Sequence, residues 1–195
     1  MKVPLEPVAE MLIDRASLHK RIGELAGEMI EALGGGDPPV LIGVLKGSTP
    51  FLADLTRALD IDLIVDFMSI SSYASGGSGV VRIVKDLDED IAGRDVVIVE
   101  DIVDTGLTLN YLRRTLEARG TRSLRTVTLL DKAVRRIVPV PVEHTGFEIP
   151  DVFVVGYGLD FQGRYRNLGD ILAVKDIARL ANDPLALQSA VFADE

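Results

Sequence analysis

The segment from Val96 to Thr108, VVIVEDIVDTGLT, gathers the residues best suited to chemistry. An apolar run leads into Glu100 and Asp101, then Asp104, Thr105, Gly106 and Thr108, where a helical pattern begins. Such a junction offers a phosphate its backbone N–H groups and the positive end of a helix dipole. The hydroxyls of Thr105 and Thr108 add donors, and Gly106 lets the backbone approach closely. Glu100 and Asp101 come first, at the end of the strand, where carboxylates suit ribose hydroxyls or a hard cation such as Mg²⁺. One short stretch therefore carries a phosphate cradle beside a grip for a sugar or metal. The same residue types also build a solvated acidic turn and a helix cap, and residue type alone leaves both readings open.

Other phosphate motifs do not fit. Leu45-Lys46-Gly47-Ser48 places its lysine before the glycine, so the spacing G-x-x-x-x-G-K-[ST] is not met. Nor do the glycines follow G-x-G-x-x-G after a strand, which disfavours a dinucleotide site.

The elements that position these residues follow from periodicity. Ser17 is a candidate cap for a helix over 18–33, with Ile22, Leu25, Ala26, Met29, Ile30 and Leu33 on one face. Gly34-Gly35-Gly36 ends it, and Val40–Leu45 reads as a buried strand. Thr49-Pro50 resembles a cap followed by proline at the first helical position. Residues 61–70 and 80–85 read as strands of a long hairpin around the Ser/Gly-rich loop 71–79. Val96–Val99, Val127–Leu130, Val152–Val155 and Ile171–Val174 read as further buried strands, with a helix over 107–118 and a partly helical tail. Short apolar strands alternating with amphipathic helices predict an α/β fold with a largely parallel sheet. Ligands bind such sheets at the carboxyl ends of the strands, here residues 46–49, 100–108, 131–132 and 156–166.

Composition narrows the class. The chain has 195 residues, 47% of them hydrophobic, enough for one domain with a sizeable core. It has no cysteine, which excludes disulfides, thiolate metal sites and a cysteine nucleophile and fits a reducing compartment. A formal charge of −9 disfavours a broad nucleic-acid surface. The opening MKVPLEPVAEMLID is broken by prolines and acids, unlike a secretory signal, and no charge-free apolar run approaches the ~20 residues of a bilayer span. The expectation is a cytoplasmic protein without nucleic-acid or membrane partners.

VVIVEDIVDTGLT resembles the phosphoribosyl pyrophosphate (PRPP) motif of the type I phosphoribosyltransferases, in both its acidic pair and its phosphate loop. Further segments, in order, are similar to the hypoxanthine-guanine branch of that family: Leu45-Lys46-Gly47-Ser48, Ser72-Tyr73, Leu130-Asp131-Lys132, and GFEIPDVFVVGYGLDFQGRYRN from Gly146 to Asn167. The likeness runs from about residue 40 to 175. It implies a parallel-sheet core flanked by helices (about 35–160) and a small hood formed by the N-terminal part and residues of about 160–180, the whole of 1–195 making one domain.

The resemblance also implies roles. Glu100 and Asp101 would hold the ribose hydroxyls and, through them, Mg²⁺. Thr105, Gly106, Leu107 and Thr108 would bind the 5′-phosphate, with Leu107 standing where some relatives carry lysine. Asp104 would lie near purine N7 as general base. Lys46 and Gly47 would meet pyrophosphate, and the peptide before Lys46 is often cis in the family. Lys132 would donate to the 6-oxo group, Phe153 would stack on the base and the Val154 backbone would read its edge. Asp160 would help hold a second Mg²⁺, and Arg166, rather than Arg164, would bind pyrophosphate. Ser72 and Tyr73 would sit in a lid that excludes water from an oxocarbenium-like state at the anomeric carbon. Read singly, Lys46 also suits a solvated lysine and Phe153 a core aromatic. His19 and His144 fall outside every motif and read as structural or exposed.

The implied activity is magnesium-dependent purine salvage: hypoxanthine or guanine plus PRPP giving the nucleoside monophosphate and pyrophosphate, in a homodimer or homotetramer. A xanthine-preferring enzyme and a non-catalytic nucleotide- or RNA-binding regulator of the same fold are the alternatives. Lys46, Tyr73, Asp104 and Lys132 favour catalysis over the regulator, and the acidic charge disfavours RNA.

Overall fold

A computed structural model of the protein describes residues 8–34, 36–73 and 80–192. The chain divides into two compact units, one of residues 21–150 and one joining 1–20 to 151–195.

The larger unit is built on a six-stranded sheet. Its strands are β2 (Val40–Leu45), β3 (Ile64–Tyr73), β4 (Val80–Lys85), β5 (Asp95–Val103), β6 (Ser123–Asp131) and β7 (His144–Glu148), numbered after β1 of the smaller unit. They lie in the order β4-β3-β2-β5-β6-β7. All neighbours pair in parallel except β3 and β4, which form the antiparallel hairpin expected from the sequence. Val96, Val97, Ile98 and Val99 are almost fully buried, as a central parallel strand covered on both faces requires.

Helices α1 (Arg15–Leu33), α2 (Thr49–Ala58) and α3 (Leu107–Glu117) supply the amphipathic layers. On α1 the residues Leu18, Ile22, Leu25, Ala26 and Met29 are buried, the face expected from their spacing. Its cap, however, is Asp14 and not Ser17. Asp14 Oδ1 accepts the Ser17 N–H at 2.8 Å, and that hydrogen bond holds the Asp14 carboxyl below its usual range. Similarly, α2 is preceded by Ser48, whose hydroxyl donates back to the Val44 carbonyl at 2.7 Å, while Thr49 Oγ1 donates to the Lys46 carbonyl at 2.8 Å. Both hydroxyls thus fasten the β2–α2 turn and leave the helix N-terminus without a side-chain cap.

Asp66 fixes the base of the β3–β4 hairpin. Its carboxylate accepts N–H groups of Phe67 at 2.6 Å, Asp88 at 2.8 Å and Glu89 at 3.0 Å. Arg113 does the same for the far end of the sheet, donating to Glu143, to Thr126 Oγ1 and to the Leu124 carbonyl.

The smaller unit holds a separate three-stranded sheet, β1 (Ala9–Ile13), β9 (Ile171–Val174) and β8 (Phe153–Val155), antiparallel throughout. The last two are Ile171–Val174 and the end of Val152–Val155, both read from the sequence as buried strands; they pair with each other and not with the larger sheet. Val8, Ala9, Val155, Leu172, Val174, Leu180 and Leu187 form its core, with the short helices α4 (Ile177–Asn182) and α5 (Gln188–Val191) in the tail. Among the described residues no helix is long and apolar enough to cross a membrane.

Candidate active site

The carboxyl ends of β2, β5 and β6 carry the candidates of the larger unit. Strand β5 runs farther than the apolar run predicts. Pairing with β6 continues through Ile102↔Leu130 and Val103↔Asp131, so Glu100 and Asp101 lie within the strand and are held by its ladder. Glu100 is only 5% exposed. Burial first, then the charge of Asp101, pushes its carboxyl well above the usual carboxylate range. Asp101 Oδ1 accepts the Ile102 N–H at 2.8 Å. Its other oxygen turns toward the β2–α2 turn, where a Cβ added to Gly47 would lie 1.5 Å from Oδ2. Glycine at 47 is what lets this carboxylate and the backbone after Lys46 share one place. The Leu45–Lys46 peptide is cis, and the Lys46 side chain is exposed.

Asp104, Thr105 and Gly106 form the turn into α3. Gly106 caps the helix in a left-handed conformation, φ 82°. Its amide-rich first turn, Leu107 and Thr108 included, points N–H groups out of the helix end, where an anion is favoured. A side chain at 106 would meet the Val138 carbonyl at 2.8 Å as well as straining the backbone. Gly106 has no side chain to cap the helix, and Thr105 Oγ1 accepts the Leu107 N–H at a long 3.5 Å. Asp104 Oδ1 is shielded from water and lies 2.7 Å from Arg135 Nε, yet the approach is not aligned as a hydrogen bond.

Lys132 follows β6 directly. It is 7% exposed, and its N–H donates to the Val103 carbonyl at 2.9 Å, which seats it beside the end of β5. Lysines buried to this degree are rare.

In the smaller unit Asp160 and Arg166 come together. Arg166 Nη2 lies 2.6 Å from Asp160 Oδ1, and Arg166 Nη1 donates to the Gly158 carbonyl. Asp160 Oδ2 accepts the Gly163 N–H at 2.6 Å. Arg164 takes no part in this pair; it is exposed and lines a separate cavity of about 310 Å³ with Tyr165 and Phe192. Phe153 sits edge-on to Phe161, ring centres 5.9 Å apart, and Val154 is buried. Loop residues 74–79 and the side chains of Ser72 and Tyr73, the expected lid, lie outside the described residues. Among the described residues no group of three or more His, Asp or Glu side chains is arranged to hold a metal.

Sequence reasoning passed over Asp131, Arg135 and Arg136. Asp131 was visible only as part of a motif, and the doubled arginine in Asp131-Lys132-Ala133-Val134-Arg135-Arg136 was the available signal.

Comparison with known proteins finds relatives that span most of the chain. The chain is 50% identical over 167 residues to the hypoxanthine phosphoribosyltransferase of Escherichia coli (strain K12), spanning 84% of this chain and 94% of that protein. It is 45% identical over 170 residues to the hypoxanthine-guanine phosphoribosyltransferase of Bacillus subtilis (strain 168), spanning 86% and 94%. The crystal structure of a hypoxanthine-guanine phosphoribosyltransferase from Bacillus anthracis superposes with a TM-score of 0.82 at 42% identity, covering 86% of this chain and 99% of that one. The family model of the phosphoribosyl transferase domain matches residues 9–162, and with relatives this similar over most of its length the chain belongs to the phosphoribosyltransferase family.

Proposed function

We propose that the protein transfers the phosphoribosyl group of PRPP to hypoxanthine or guanine, releasing pyrophosphate. The observation that carries this reading is the junction of β5 and α3. The buried Glu100, its neighbour Asp101, the left-handed Gly106 and the first turn of α3 follow one another along the chain, with the buried Lys132 hydrogen-bonded to the same strand end. The relatives' names support the choice of 6-oxopurine.

In this reading the N–H groups of Gly106 to Thr108 and the hydroxyls of Thr105 and Thr108 take the 5′-phosphate. Glu100 and Asp101 accept from the ribose hydroxyls. Lys46, the backbone at Gly47 and Arg166 take the pyrophosphate. Lys132 donates to O6, a carbonyl that adenine lacks. Phe153 stacks on the base and the Val154 backbone meets its edge. N9 of the base bonds to the anomeric carbon, the carbon–oxygen bond to pyrophosphate breaks, and Asp104 receives the N7 proton. Tyr73, Ser72 and the loop after them exclude water during this exchange.

The carboxylates fit a magnesium ion that keeps water and substrate oxygens as its other ligands, the usual mode for this cation. Glu100 is buried beside the charge of Asp101, so a metal or hydroxyl donors at that place would relieve its desolvation. Glu100, Asp101 and, for a second ion, Asp160 would hold it, and bound Mg²⁺ supplies charge neutralisation for the leaving pyrophosphate.

Turnover with PRPP, Mg²⁺ and a panel of hypoxanthine, guanine, xanthine and adenine tests the reading. PRPP-dependent nucleotide formation from the first two supports it. No nucleotide from any base refutes it, and a clear preference for xanthine changes the substrate. The proposal includes a cytoplasmic homodimer or homotetramer, which light scattering on the purified protein checks.

A further inference from the structure

We infer that Arg136 is a positioning residue that clamps the Lys132 turn to the Asp104 turn, so that the group reading the base and the group taking its proton act at a set separation. The inference rests on the proposed function above.

Arg136 follows a 3-10 turn, Ala133–Arg135, that begins at Lys132. Its side chain is 16% exposed. Nη1 donates to the carbonyl of Asp104 at 2.9 Å. Nη2 pairs with the carboxylate of Asp131. One guanidinium therefore bridges the residue before the base-reading lysine and the peptide of the proposed general base. The bridge lies in a wider seam. The Lys132 N–H reaches the Val103 carbonyl at 2.9 Å, and the Ile137 and Val138 N–H groups reach the Thr105 carbonyl at 2.9 and 3.3 Å. The Arg136 stem also packs on Gly106, its Cδ 2.9 Å from where a Cβ would stand.

Two physical points single out the guanidinium. Asp131 is 8% exposed, and a carboxylate at that depth needs a charged partner. The Asp104 carbonyl lies on a different strand end, and only a planar fork with several N–H groups serves two acceptors set apart in this way. A lysine ammonium, as a point charge on a flexible stem, does not hold both in a defined geometry. Arg136 touches no reacting atom in this arrangement and acts through Lys132 and Asp104.

The test is steady-state kinetics of Arg136→Lys and Arg136→Ala with thermal unfolding of each. Misplacement of catalytic groups by about 1 Å costs roughly 10²-fold, so kcat/KM for hypoxanthine should fall by about that factor in Arg136→Ala. Arg136→Lys, keeping the charge and losing the fork, should recover only a small part. Added guanidinium at millimolar concentration should raise kcat/KM of Arg136→Ala and leave the wild type unchanged. Where Arg136→Ala does not fold, Asp131→Asn carries the test, since it keeps the shape and removes the charge. It should lower kcat/KM roughly tenfold, as a charge-assisted hydrogen bond becomes a neutral one. Folded Arg136→Lys and Asp131→Asn with kcat and both KM values within twofold of wild type would overturn the inference and leave Arg136 a structural ion pair. Absence of PRPP-dependent turnover in the wild type would sink the proposed function, a result distinct from indifferent variants of an active enzyme.

Discussion

Gly47 and Asp101 occupy one place: a Cβ on residue 47 would lie 1.5 Å from the Asp101 Oδ2 and 2.6 Å from its Cγ. The two residues belong to the ends of neighbouring strands, β2 and β5. The glycine is therefore needed for the carboxylate's placement, apart from any backbone conformation of its own.

Gly47→Ala should then act on the acidic pair. Either Asp101 swings away or the turn after Lys46 moves, and overpacking of this kind costs about 1–3 kcal/mol. We expect kcat/KM for PRPP to fall by at least tenfold with a modest loss of thermal stability. Unchanged kinetics in Gly47→Ala would show that the observed position of Asp101 is not the functional one.

Metal dependence is the second expectation. Glu100 and Asp101 are consecutive residues of β5, with Glu100 buried and its carboxyl raised first by that burial and then by the charge of Asp101. A chelator should abolish turnover and added Mg²⁺ should restore it, because pyrophosphate leaves with a charge that needs neutralising. Full turnover in metal-free buffer would remove the cation from the proposal.

Base choice is set by Lys132 in our reading. At 7% exposure its ammonium can donate to O6 but cannot accept from the N6 amino group of adenine. Hypoxanthine and guanine should exceed adenine by roughly 10²-fold or more in kcat/KM, since the adenine amino group would meet a donor where O6 offers an acceptor. Lys132→Met should narrow that ratio. Equal rates with adenine in the wild type would defeat the assignment.

Much of this was legible in residue order. The strands β2 and β5, the α3 face and the turn at Asp104 to Gly106 follow from apolar runs broken by Gly, Thr and Asp. What was not legible depended on partners distant in sequence. Strand β5 gains its last residues by pairing with β6, so the apolar run alone stops short of Glu100. β8 and β9 look like any buried strand, and only their antiparallel pairing with each other and with β1 sets them in a separate sheet. β7 has no fully buried residue to announce it, being an edge strand. Arg136 reaches a carbonyl 32 residues away, a relation that no local pattern carries.

Asp66 gives the acid limb of stability a sign. Burial raises its pKa, but N–H donors from Glu89, Phe67 and Asp88, with Lys85 nearby, outweigh burial and leave it below the usual value. A carboxyl depressed in the folded state stabilises fully above the unfolded value, about pH 4, and loses that contribution as pH falls through its folded pKa. Asp66→Asn should therefore be less stable than wild type at pH 7, and the gap in unfolding midpoint should shrink between about pH 4 and pH 2. A gap that stays constant over that range would contradict the assignment.

Asp104 offers the sharpest separation of binding from chemistry. Its Oδ1 is shielded from water without an aligned hydrogen bond, although Arg135 Nε stands 2.7 Å away. It makes no cap to α3, whose first N–H, that of Leu107, is met by Thr105 Oγ1 at 3.5 Å. Asp104 is the group proposed above to receive the N7 proton. Asp104→Asn keeps the shape and removes the base, so kcat should fall by roughly 10²–10⁴-fold, the usual contribution of general base catalysis. The KM for PRPP should change far less, because the cradle at Gly106 to Thr108 is made of backbone and hydroxyl groups. Thr108→Val should do the opposite, raising the KM for PRPP with kcat largely kept. If Asp104 only shaped the turn, Asn would serve equally well and both constants would stay near wild type. That result would take Asp104 out of the chemistry and leave the phosphate site standing.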